Sequence, residues 1–170
     1  MRLIALILVS LMLGASGHAN SNDKTLWGKS LYGMTPAQVL KAFPTAQKNP
    51  TPQTVPLTNS QSHVIILNQR IYDLEFNIDF YFNHQGLVQV TLVAKRASRE
   101  RINLIESLLD EKYGEPIDTK SNSVAPAHVD YETDRYSAPL SVGVVVYGES
   151  HNLKLLIIYG HSRYDIMNSL

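Results

Sequence analysis

No cysteine occurs among the 170 residues. That excludes disulfide staples, thiolate nucleophiles, iron–sulfur clusters and thiolate zinc sites, so packing has to supply the stability. Neither sign of charge is in excess, with 15 Lys and Arg against 15 Asp and Glu. A chain without a basic excess has no electrostatic footprint for nucleic acid, and no polybasic cluster is present to hold anionic lipid. Glycine-rich phosphate loops are missing. The one Asn-x-Thr triplet, Asn49-Pro50-Thr51, is barred from glycosylation by its proline.

Long apolar runs are also scarce: the only one is Leu3 to Leu13, broken by Ser10. Its length of about 16 Å as a helix is half of a hydrocarbon core of about 30 Å, so it is too short to span. Met1-Arg2 before it is a positive start, and Gly17-His18-Ala19 after it fits the small-x-small cleavage rule. Residues 1–19 therefore read as a secretory signal cut after Ala19, which places the mature chain in the periplasm of a Gram-negative bacterium. Leu11-Met12-Leu13-Gly14 leads to Ala15, where a lipoprotein would carry its acylated Cys. The expectation is a mature protein with no membrane span and no lipid anchor. Loss of Arg2 leaves 14 basic against 15 acidic residues.

Residues 20–170 suffice for one domain with a sizeable core. Thr35-Pro36-Ala37-Gln38 predicts a helix start: Thr35 caps, Pro36 suits the first helical position, Gln38 closes a capping box, and Met34 with Val39 forms a staple. Val39, Leu40 and Phe43 are its buried side, and Pro44 ends it. Residues 44–62, with four prolines among Thr, Gln, Asn and Ser, read as a long polar surface loop with at most one short extended piece. Leu74, Phe76, Ile78, Phe80 and Phe82 then alternate with Glu75, Asn77, Asp79, Tyr81 and Asn83, the period of a half-buried strand. Asn83 to Gly86 is a turn, Val88 to Ala94 the return strand, and Val64 to Leu67 a neighbour. A second helix runs from Ser98 to Tyr113, with Ile102, Ile105, Leu108 and Leu109 inward and Gly114 and Pro116 as stops. A polar loop leads to strands at Val129–Glu132, Leu140–Tyr147 and Leu153–Tyr159. The order helix–strands–helix–strands predicts an α+β fold, an antiparallel sheet with two helices on one face. A faint echo between Val39-Leu40…Phe43-Pro44 and Leu108-Leu109…Tyr113-Gly114 makes a degenerate duplication a candidate.

Chemistry is harder to find. Gly148-Glu149-Ser150-His151-Asn152 has the outline of a nucleophile elbow. Yet Asn152 replaces its last glycine, and the segment joins two strands where the elbow needs strand-to-helix. It reads as a hairpin turn. His128, Asp130 and Glu132 alternate along one strand and diverge too much to close on one ion, and His161 with Asp165 supplies only two ligands. Glu75 and Asp79 would stand roughly 13 Å apart in an extended strand, beyond the spacing of about 5–9.5 Å used by paired glycosidase carboxylates. No catalytic residue, metal site or cofactor is expected. What remains is the polar face of one strand, Glu75, Asn77, Asp79 and Tyr81, where an amphipathic aromatic among polar neighbours suits a partner contact.

Gly33-Met34-Thr35 followed by Gln38-Val39 and Phe43-Pro44 resembles the helix start of small envelope proteins of the BamE-like and β-lactamase-inhibitor-protein-like fold. Leu109 to Pro116 is similar to the L-x-x-x-Y-G-x-P helix end of exported proteins of that build. The close match covers about twenty residues; the lipoprotein Cys of the former group is missing, and a second helix with more strands follows the first unit. The resemblance implies a binding fold, used in assembly or inhibition, with no catalytic residues to transfer. The expected function is a non-catalytic periplasmic protein-binding module, of envelope-assembly or inhibitor and immunity type, whose partner is another envelope or exported protein. Two alternatives stand beside it: a hydrolase with a site among His128, Asp130, Ser150 and His151, and a binder of small ligands or peptidoglycan fragments using the Tyr-rich sheet face.

Overall fold

Thr35 makes the first helix possible. In the computed structural model its Oγ1 accepts the Gln38 backbone N–H at 3.3 Å, while Gln38 Oε1 accepts the Thr35 N–H at 2.8 Å, a complete capping box. The structure describes residues 24–55, 59–121, 128–137, 140–149 and 152–161, with backbone alone at 128–130, 135–137 and 161. Helix α1 (Pro36–Ala42) has seven residues, too few to persist in water by itself. Tertiary contacts hold it. Val39 is fully buried, and the Phe43 ring at the helix end stacks on Trp27 at 5.6 Å and tilts against Phe80 at 5.3 Å.

After α1 come strands β1 (Gln47–Lys48), β2 (Thr54–Val55), β3 (Ser60–Ile71), β4 (Leu74–Asn83) and β5 (Gly86–Ala97). Helix α2 (Arg99–Tyr113) follows, then β6 (Asp118–Ser121), β7 (His128–Ser137), β8 (Leu140–Glu149) and β9 (Asn152–His161). All strand pairs are antiparallel, in the order β1-β3-β4-β5-β9-β8-β7-β6, with β2 beside β1 on the outer side of β3. Helix α2 is capped by Ser98, whose Oγ accepts the Arg101 N–H, and stops at Gly114, where φ is +88°.

Register shows where the helices lie. Val64, Phe80, Val90, Tyr159 and Val142 form one continuous cross-strand row and so share one face of the sheet. Phe43 of α1 meets this row at Phe80, and Tyr113 of α2 meets it at Tyr159, ring edge to ring face at 6.2 Å. Both helices therefore cover the same face. The core lies between, and Ile102, Ile105 and Leu109 of α2 belong to it together with Val142, Val144 and Val146 of β8 and Leu153, Leu155 and Ile157 of β9. A polar lock fastens that half: the Tyr131 hydroxyl donates to Glu106 at 3.1 Å, and Arg99 lies over the Tyr131 ring.

Two segments differ from their expectation as loops. Residues 44–62 hold two short strands, β1 and β2, and β3 already begins at Ser60. Residues 118–121 are an edge strand. In both places apolar alternation is missing, because β6 is exposed throughout and β3 opens on buried serines, Ser60 and Ser62. A periodic pattern of apolar residues marks only strands that bury apolar side chains. Among the described residues no helix is long and apolar enough to cross a membrane.

Candidate functional site

The face turned away from the helices begins with the polar residues of β4. Along this strand every second residue, from Leu74 to Phe82, is buried; Glu75 is exposed, and Asn77, Asp79 and Tyr81 are half-buried. The four therefore do share one face. They are not equivalent, because two of them are tied into the scaffold.

Asn77 faces a bulge in β3, where Asn68 adopts a φ of +55° and gives its backbone N–H to Asn77 Oδ1 at 3.2 Å. Asp79 belongs to a built polar cluster. The fully buried Ser62 accepts Asn49 Nδ2 and the Gln53 backbone N–H, each at 2.9 Å, and donates its own proton to Asp79. A hydroxyl offers one donor and two acceptor sites, so Ser62 is saturated. Asn49 Nδ2 also reaches Asp79 Oδ1 at 3.5 Å. Through Ser62 the proline-rich segment is strapped onto the same face as Tyr81, which makes it a second surface that a partner on that face would meet.

Burial raises the Asp79 carboxyl above its ordinary value, opposed by the Ser62 hydrogen bond. Burial likewise pushes the Tyr81 phenol up to about 12, with the Asp79 charge adding to it. The sign for Asp79 follows from linkage. A folded state that holds the proton more tightly than the unfolded chain is most stable at low pH, and loses stability as pH climbs from 3.8 toward the raised value. Asp79→Asn keeps an acceptor for Ser62 and removes the buried charge. It is expected to raise the melting temperature at pH 7, with the gain vanishing below the unfolded carboxyl value. A variant less stable than the parent at pH 7 would mean that the hydrogen bonds to the carboxylate outweigh its burial.

The same face continues across the sheet into residues that apolar counting passes over. Asp79 stands opposite Thr91, which stands opposite Ile158, then Gly143 and Asp134. Tyr81 stands opposite Gln89, then Gly160 and Ser141. Gln89 and Thr91 are buried and hydrogen-bonded to each other at 3.0 Å. On β5 the apolar positions Val90, Leu92 and Ala94 face the helices, and the residues alternating with them, Gln89 and Thr91, are the sequence signal for this second face.

His128 stands opposite Glu149, the residue before Ser150, so the register keeps His128 at the end of the ladder where the Ser150-His151 connection lies, whereas His161 falls at the other end, a strand length of about 30 Å away. Ser150 and His151 lie outside the described residues, as do residues 1–19, where a secretory signal is expected, and Asp165. Glu149 and Asn152, which flank Ser150 and His151, pair directly across a hairpin, so the connection runs strand to strand. No protein-family model, curated protein or solved structure matches this chain.

Proposed function

We propose that this chain is a periplasmic, non-catalytic protein-binding module that meets an envelope or exported partner with the helix-free face of its sheet. The observation that carries the reading is the one-sided placement of both helices, which leaves Glu75, Asn77, Asp79 and Tyr81 on the side that neither covers. Specific interfaces bury about 800 Å² per partner. Gln89, Thr91 and Ile158 in the middle of this face are buried, so the surface offered to a partner is that of β4 and the adjoining proline-rich segment. The resemblance of the α1 start to small envelope proteins of assembly and inhibition agrees with this reading.

The same proposal includes a degenerate duplication. Strands β4 and β8 have ten residues each and begin 66 residues apart, at Leu74 and Leu140; β5 and β9 begin at Gly86 and Asn152, the same offset. Each half runs helix, short edge pairing and three-strand meander, the edge being β1 and β2 in the first half and β6 in the second, and the last strands of the halves pair at the centre, with Leu92 opposite Ile157.

Export is part of the reading, with cleavage after Ala19. Terminal sequencing of the protein recovered from periplasm is expected to begin Asn20-Ser21-Asn22; intact Met1 in the membrane fraction would overturn it. The partner is tested by affinity capture from envelope extract with parent and Tyr81→Ala baits. A defined protein retained by the parent and lost by the variant supports the module. Equal retention by both would remove the assignment of this face.

A further inference from the structure

A second site lies on the helix face, beyond the N-terminal end of α1. Here the apolar residues of β3, Val64 and Ile66, give way to exposed Asn59, Gln61 and His63, while the opposing residue Phe82 stays buried. Inward-facing positions that turn polar where the covering helix stops describe the wall of a cavity. The space has a volume of about 420 Å³, within the range of about 300–1,000 Å³ typical of small-molecule sites.

Three chain segments frame it: the start of β3, the β4–β5 turn with Asn83 and His84, and the helix start with Pro36. They are fixed to one another. Gly33 N donates to Leu87 O and Leu87 N to Met34 O, each at 2.8 Å, and the Tyr32 hydroxyl reaches Gln85 Oε1 at 2.8 Å. Gly86 makes the approach possible: a Cβ there would stand 2.4 Å from the Gly33 carbonyl oxygen. The wall is thus preorganised, which lowers the ordering cost of binding.

Its chemistry is selective. Among the described residues no carboxylate, lysine or arginine lines the space. The side chains of Asn59, Gln61, His63 and His84 make no hydrogen bond among the described residues, and Asn83 spends only its Oδ1, on the Gln85 N–H. Three amides and two imidazoles offer both donors and acceptors, while Pro36 and the Phe82 ring, 6.1 Å from that of His63, add an apolar patch. A fully charged ligand would find no fixed counter-charge here. The geometry points to a binding site for a neutral polyhydroxylated molecule, a mono- or disaccharide, with acetamido sugars matched best because their amide pairs with the carboxamides of the wall.

The test is a nuclear magnetic resonance titration of the isotope-labelled protein with N-acetylglucosamine, its β-1,4-linked disaccharide and glucose, beside inorganic phosphate and Zn²⁺. Saturable shifts confined to amides 59–63 and 82–86, produced by an acetamido sugar, are expected. The exposed double change Gln61→Ala/His84→Ala should weaken that binding about tenfold or more with an unchanged melting temperature. If that variant does not fold, Gln61→Glu alone should give the same loss. Sugars that shift nothing, shifts centred elsewhere, undiminished affinity in the variants, or a local response to phosphate or Zn²⁺ only, would each overturn the assignment. The site is separate from the β4 polar face, so failure of partner capture leaves it standing.

Discussion

Phe80→Ala is expected to lower the unfolding free energy by about 3–5 kcal/mol, a large share of the roughly 5–15 kcal/mol that holds an ordinary domain. Phe80 is fully buried and is the hub of an aromatic trio, 5.3 Å from Phe43 and 6.4 Å from Trp27. Helix α1 is too short to stand alone, so removing the ring leaves a cavity and also takes away what Phe43 rests on. Denaturant unfolding measures the change. The neighbouring Asp79→Asn should move stability in the opposite direction at pH 7, because adjacent strand residues face opposite environments. Equal shifts of the same sign from both variants would mean that residues 79 and 80 are assigned to the wrong faces.

Tyr81→Ala is expected to weaken capture of the protein partner by about 2 kcal/mol, roughly thirtyfold. Interface energy concentrates in a few central aromatics, and Tyr81 is the aromatic among the four assigned residues of β4. Because the ring is half-buried, some stability goes with it, and Glu75→Ala supplies a second probe at an exposed position. The strap is the competing surface, and its deletion is a poor control: Asn49 and Gln53 both hold Ser62, so removing them also disturbs Asp79. Pro52→Arg, at an exposed position of the strap, separates the two. Loss of binding with Pro52→Arg alone moves the site to the strap; loss with Tyr81→Ala and Glu75→Ala keeps it on β4.

Much of the fold was legible because its signals are local. The capping box of α1 needs only Thr35 and Gln38, three residues apart, and the stop of α2 needs only a glycine able to take positive φ. The β4 faces follow from alternation, which fixes side-chain direction residue by residue. Strands β1, β2 and β6 were not legible. They exist because β3 and β7 offer free edges to pair with, a condition set far away in sequence. The polar cluster around Ser62 was hidden for the same reason, since its members Asn49, Gln53, Ser62 and Asp79 come from three different stretches of chain.

Local chemistry alone thus determined the α+β class, the two helix starts, the buried row from Leu74 to Phe82, and the exclusion of cysteine chemistry. Tertiary structure decided the rest: that β5 and β9 join the two halves into one sheet, that both helices take the same face, and that the strap lies beside Tyr81. The division has a physical cause. Caps, stops and alternation are satisfied within a few residues, whereas strand pairing and the saturation of a buried hydroxyl depend on backbone edges and donors that only the folded chain brings together.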